Sequence, residues 1–266
     1  MSEMPKTYEK AVIDKAIDVL DSMETALEEC GVDVPDGTDA SEYDDKIKAV
    51  YEAGQKAEYD RFWDNFQQYG ARKDYMYAFA GCCWKKETLK PKYPISDVSA
   101  RGATGMFYYT NRGANETLDM TDILKNIDLS TADTGQYLFA NAKVDNISVD
   151  LSNASSLQNA FNGGDGGSGT TTVTLKVSEK CTNYTSCFAY RIDITNLTFV
   201  EGSVIAANIS FANCSRLTTE SVDSIINALQ DRTGQSALTV TFHTNVVNRL
   251  TDEQVLQINN KNWQLG

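Results

Sequence analysis

The residues with the most chemical potential are few. His243 is the sole histidine, which excludes any mechanism that needs two. It ends the alternating stretch "SALTVTFH" (236–243), beside Thr244 and Asn245, and reads as a surface position rather than a general base. The six cysteines are Cys30, Cys82, Cys83, Cys181, Cys187 and Cys214. They contain no C-x-x-C pair, so zinc spacing is absent. Buried free thiols are expected, with a Cys181–Cys187 or Cys82–Cys83 disulfide left open. Carboxylates remain. Asp119 with Asp122, or Asp145 with Asp150, would approach each other as glycosidase acids do if the chain stacked on itself. Among 37 acidic residues, chance pairs are expected. The glycine-rich "NGGDGGSGTTT" (162–172) lacks the G-K-[ST] ending of a phosphate cradle and reads as an inserted flexible loop. The chain therefore reads as non-enzymatic, without metal or cofactor. A glycan hydrolase is the less favoured alternative.

Binding chemistry is better represented. Trp84, Tyr108, Tyr109, Asn111, Arg112, Tyr190 and Arg191 cluster in segments that read as loops. Such side chains bury much area for little entropy and make good ligand anchors. The same residues would serve to close the ends of turns. Seven Asn-x-Ser/Thr triplets occur, at Asn115, Asn146, Asn153, Asn183, Asn196, Asn208 and Asn213. They read as turn residues whose side chains satisfy nearby backbone groups, rather than as glycosylation acceptors.

The elements that would position these groups can be read from periodicity. "YAFAG", "GMFYYTN", "YLFANA", "NAFNGG", "SCFAYR" and "SFANCS" each centre on one phenylalanine: Phe79, Phe107, Phe139, Phe161, Phe188 and Phe211. Their spacing of about two to three dozen residues lies in the range of stacked repeats. Between them, "NISVDLS" (146–152), "TVTLKVS" (172–178) and "IDITNLTF" (192–199) alternate with the period of a strand. One strand per unit with a buried Phe in the turn describes a ladder whose neighbours hide one another's apolar flanks.

Flanking segments have helical texture. Ile13, Ala16, Leu20, Met23 and Leu27 recur in heptad steps, a seam for a helical hairpin partner or for further copies of the chain. A second helix is expected from about residue 42 to 68, ending in Phe62, Trp63 and Phe66, which would pack on the segment after Gly70. Near the other end, "TTESVDSIINALQ" (218–230) reads as a helix, 236–243 as a strand, and "TDEQVLQINN" (251–260) as a helix opened by Thr251 and Gln254 in capping-box positions.

Net charge is −13, of which −11 lies between Met1 and Gln68. An acidic first quarter and no basic stripe disfavour nucleic acid. No run of about 18 apolar residues is present, so no membrane insertion is expected. The N-terminus "MSEMPKTYEKAVIDKAIDVL" lacks the charged-then-apolar signal-peptide pattern.

"FANCSRL" (211–217) and "NASSLQNAFNG" (153–163) resemble the turn of the BspA-type leucine-rich repeat. The N-terminal helices over 16–67, "WKKETLKPKYPI" (84–95) and the C-terminal "SIINALQDRTGQSALTVTFHTNVVNRLTDEQ" resemble segments of tail-fibre, baseplate and adhesion proteins of phages and prophages of gut Firmicutes. The expected fold class is thus α+β. A helical stalk (1–70) precedes an irregular leucine-rich-repeat β-solenoid (71–217), closed by a small α/β cap (218–266). The resemblance implies a virion-surface structural protein in tail, baseplate or capsid exterior. It would be held to other virion proteins by its N-terminal helices and commonly be trimeric, with a host surface glycan or protein as ligand. Decoration of a capsid or tail without a receptor, and a bacterial surface adhesin, are the rivals.

Overall fold

In "TTVTLK", residues Thr171, Val173 and Leu175 are buried, and the residues between them are half-exposed. That alternation is what a strand with one face on a core requires. It forms β4 (Thr171–Lys176) of the computed structural model, which describes Lys56, Asp60, residues 75–81, 91–96, Val98, 102–163 and 170–266. The chain divides into two compact units, Met1–Asp64 and Asn65–Gly266. Nearly all described residues belong to the second. The expected seam, Ile13, Ala16, Leu20, Met23 and Leu27, and all of the expected stalk but Lys56 and Asp60 lie outside the described residues, as does Trp84.

Among the described residues of the second unit the elements begin with β1 (Leu118–Asp119), α1 (Thr121–Leu124), β2 (Val144–Asp145) and β3 (Ile147–Asp150). After β4 come β5 (Ile194–Phe199), β6 (Ile209–Phe211) and α2 (Thr219–Ala228). The unit ends with β7 (Leu238–Phe242), α3 (Thr244–Val247), α4 (Asp252–Asn260) and β8 (Trp263–Leu265). None of the described helices is long and apolar enough to cross a membrane.

Among the described residues the expected continuous leucine-rich-repeat solenoid with a separate cap does not form. Their strands are short and fall into three small parallel sheets, β1-β2, β3-β4-β5 and β6-β7-β8, with few helices. Two local causes are visible. Asn146 takes a left-handed φ of 52° between β2 and β3, so one segment turns from pairing with β1 to pairing with β4. At the other edge, α2 occupies the place beside β5 that a further strand would take. Its serines do the pairing. Leu197 N–H donates to Ser221 Oγ and Phe199 N–H to Ser224 Oγ, each at 2.8 Å. The Ser221 and Ser224 hydroxyls in turn reach the carbonyls of Thr195 and Phe199. Ser221→Ala would leave a buried N–H without an acceptor, a loss of about 1–3 kcal/mol. Urea unfolding should show that loss, and the Leu197 amide should lose protection against hydrogen exchange ahead of the Val173 amide.

Residues 218–266 likewise share a sheet with β6 instead of closing the fold as a cap of their own. Their helices do start as the residue types require. Thr218 caps α2 through Ser221 N–H, and Thr251 with Gln254 forms a complete capping box on α4. Lys261 Nζ donates to the carbonyls of Ile226, Asn227 and Leu229, satisfying the end of α2.

The core is a column of rings. Phe79, Phe107, Phe139, Phe161, Phe188, Phe211 and Phe242 succeed one another at centroid distances of 5.0–5.7 Å. The pair Phe188–Phe211 is tilted by 31°, whereas the other pairs lie within 19° of parallel. The tilt marks a change of construction. Up to Phe188 the rings are carried by turns; from Phe211 onward they are carried by strands β6 and β7.

Those turns have an alternating backbone. The residues two before and two after Phe79, Phe107, Phe139, Phe161 and Phe188 all have left-handed φ. Consecutive N–H groups therefore point alternately along the turn and along the column. Leu138, Ala140 and Ala142 donate back within their own turn, to Gly135, Tyr137 and Phe139. Tyr137, Phe139 and Asn141 donate forward, to the carbonyls of Gln158, Ala160 and Asn162. Backbone polar groups that would otherwise be stranded beside the ring column are satisfied in both directions. Asparagines serve the same end: Asn183, Asn208 and Asn213 accept from Thr185, Thr239 and Tyr190 N–H through Oδ1.

Candidate functional site

The ten left-handed positions flanking the five turn phenylalanines are an inventory of what the backbone tolerates. Glycine occupies Gly81, Gly105 and Gly163, asparagine Asn141 and Asn159, and serine Ser186. The remaining four are tyrosines: Tyr77, Tyr109, Tyr137 and Tyr190. Tyrosine gains nothing from this conformation, which costs a residue with a Cβ roughly 1–2 kcal/mol.

The tyrosines stand on the outside of the turns. Tyr77 is 45% exposed and Tyr190 71%, while Tyr109 and Tyr137 are partly exposed. Tyr108 sits among them, its ring edge-on to Tyr77 at 6.0 Å, Tyr109 at 4.3 Å and Tyr137 at 6.2 Å. Partial burial, and then the neighbouring Tyr109 hydroxyl, push the Tyr108 phenol above its ordinary range. The Arg112 guanidinium lies 4.5 Å over the Tyr109 ring. Gly105 makes the cluster possible. A Cβ there would stand 2.2 Å from Tyr77 Cε1, so the Tyr77 ring lies where any other side chain would be. The result is a ridge of four rings and one guanidinium, mounted on backbone that is hydrogen-bonded on both sides.

Of the residues singled out in the sequence, Tyr108, Tyr109 and Arg112 therefore come together. Tyr190 holds the same turn position as Tyr109, three turns along the column, or about 15 Å away at the usual spacing of paired backbones. Asn111 and Arg191 do not belong to this surface. Asn111 is 4% exposed, and its Nδ2 holds the loop through Glu116 O and Lys143 O. Arg191 is fully buried. Its Nε and NH2 groups donate to the two Asp193 carboxylate oxygens at 2.9 and 2.8 Å, and NH1 donates to Gly163 O. Thr171 Oγ1 completes the Asp193 shell at 2.6 Å. This is an internal clamp between turn and strand. Sequence reasoning passed over Tyr77 and Tyr137, although the spacing Tyr-x-Phe in "YAF" and "YLF" was the available signal.

The residues weighed for catalysis have backbone duties. Asp119 accepts from Thr121 N–H, and Asp145 from the N–H groups of Asn146 and Thr172. Asp150 pairs with Lys176 at 3.0 Å. Its burial raises the carboxyl pKa, but hydrogen bonds from Ser152 and the Lys176 ammonium outweigh that and lower it overall. His243 caps α3, accepting from Asn245 N–H through Nδ1. Cys181, Cys187 and Cys214 are free thiols, all buried. Burial pushes the Cys214 thiol up to about 12 and holds Cys187 well above its usual range, which makes both poor nucleophiles. No family model, no curated protein and no solved structure matches the chain.

Proposed function

We propose that the chain is a non-enzymatic binding protein of a virion surface, a fibre or adhesion component that engages a host cell-surface glycan or protein through its tyrosine ridge. The observation that carries this reading is the choice of tyrosine at three left-handed positions of the ridge, Tyr77, Tyr109 and Tyr137, where glycine or asparagine costs less. Local strain retained on an exposed surface is a reason to look there for function. The ridge also has the physics of an anchor. Rings on a rigid turn lose little entropy when covered, so more of the contact energy appears as affinity. Several copies on one particle would strengthen weak single-site binding through effective concentration. The virion setting itself rests on the sequence resemblance.

The test removes the rings and relieves the strain together. Tyr77→Gly/Tyr109→Gly leaves the turns in a conformation glycine prefers, so the unfolding free energy should stay within about 1 kcal/mol of the parent. Retention of the purified chain on cells of gut Firmicutes should nevertheless fall by about tenfold or more, equivalent to ~1.4 kcal/mol. Undiminished retention would remove the ridge from the binding surface. No retention of the parent chain on any such cells would favour decoration without a receptor.

A further inference from the structure

The change from turn-borne to strand-borne rings leaves a groove between the segments that lead to Phe188 and to Phe211. It has a volume of about 600 Å³ and crosses three successive segments of the chain, 182–186, 206–210 and 238–241. In the turns of Phe139 and Phe161 the N–H groups four and two residues before the phenylalanine donate to the next segment. Leu157 bonds Asn183 O at 2.8 Å, and Asn159 bonds Thr185 O at 3.0 Å. The corresponding groups of the last turn are Tyr184 N–H and Ser186 N–H. The segment opposite them is β6 and its approach, which pairs with β7 instead. Among the described residues neither N–H has a hydrogen-bond acceptor. Both residues line the groove.

We infer that this groove is a second binding site, for a neutral, hydroxyl-rich saccharide. Its volume is within the ~300–1,000 Å³ of small-ligand sites. In a chain of net charge −13, the lining contains no Asp, Glu, Lys, Arg or His. What it offers are hydroxyls and amides, among them Thr185, Asn208, Thr239 and Thr241, together with the two N–H donors. Hydroxyl and amide groups both give and accept hydrogen bonds, as sugar hydroxyls do. Ala206 and Ala207 add a small apolar patch for the C–H face of a ring. A phosphate or carboxylate ligand would meet no cation. An extended peptide pairing along β6 would be stopped at the C-terminal end of that strand, where the Phe188 ring stands 5.0 Å from Phe211, Tyr190 N–H donates to Asn213 Oδ1 at 3.2 Å, and the Cys214 thiol donates to Phe188 O at 3.8 Å.

The experiment tracks the amide resonances of the full ¹⁵N-labelled chain during titration with chitotetraose and with maltotetraose. Tetragalacturonate and a neutral serine-threonine octapeptide are the comparators. At least one neutral tetrasaccharide should shift Tyr184 and Ser186 at about 10 mM, above the ~1 mM Kd of weak binding. Ala207→Trp, which fills the groove, should weaken that binding about tenfold. Thr239→Val, which keeps the shape and deletes a hydroxyl, should weaken it too. Tyr77→Gly/Tyr109→Gly should leave it unchanged, so failure at the ridge and failure at the groove are read separately. The inference is overturned if neither tetrasaccharide moves these two amides, if tetragalacturonate moves them equally, or if the octapeptide binds more tightly.

Discussion

Phe161→Ala is expected to remove about 3–5 kcal/mol of unfolding free energy, a large share of what a single domain possesses. Phe161 is fully buried. Phe139 lies against one face at 5.7 Å and Phe188 against the other at 5.3 Å, nearly parallel to both. Deleting the ring loses its transfer energy and two stacked pairs, each worth about 0.5–1.5 kcal/mol beyond area. The surrounding turn cannot collapse into the space, because Asn159, Phe161 and Gly163 are tied through their N–H groups to the next turn at 3.0, 2.9 and 2.7 Å. Phe161→Leu refills most of the volume and should cost less. Urea unfolding of the three proteins checks this. A loss below about 1 kcal/mol for the alanine variant would show that backbone pairing alone holds the turns together.

Asp193→Ala should be comparably damaging, at about 3–5 kcal/mol, for an electrostatic reason. It strands the Arg191 guanidinium, which is fully buried and donates two of its three protein hydrogen bonds to that carboxylate. The remaining bond, to Gly163 O at 3.4 Å, is long. Thr171 Oγ1 and Thr171 N–H would also be affected, since the Asp193 side chain accepts from the first and its carbonyl from the second. The companion variant separates the pair from its parts. In Arg191→Met/Asp193→Ala no charge is left in the interior, and much of the lost stability should return. A double variant no more stable than Asp193→Ala alone would mean that the clamp acts through shape and not through charge.

Both predictions concern positions whose partners are distant in sequence, and there the chain was unevenly legible. The strand segments could be read because period two is a property of adjacent residues: β5 lies within the stretch 192–199, and β4 lies within 172–178 but for its first residue. The capping box at Thr251 and Gln254 was legible for the same reason. Phenylalanine spacing announced six stacked rings. The seventh, Phe242, was hidden because its strand reads as part of a separate terminal element. Arg191 and Tyr190 are adjacent and both read as exposed loop residues in sequence, yet the charged one is fully buried and the other 71% exposed. Only the alternating backbone of the turn, which points neighbours in opposite directions, distinguishes them.

By itself, then, the amino-acid sequence determined the strands β3, β4, β5 and β7, where α2 and α4 would begin, and six of the recurring rings. Only the tertiary structure decided that the strands divide into three small sheets, that serines of α2 close the edge of β5, and that tyrosines rather than buried polar residues form the exposed ridge. The physical reason is range. Periodicity and capping act between residues a few positions apart, whereas each of those decisions is a hydrogen bond or contact made across some two dozen residues or more, with a partner that no local pattern names.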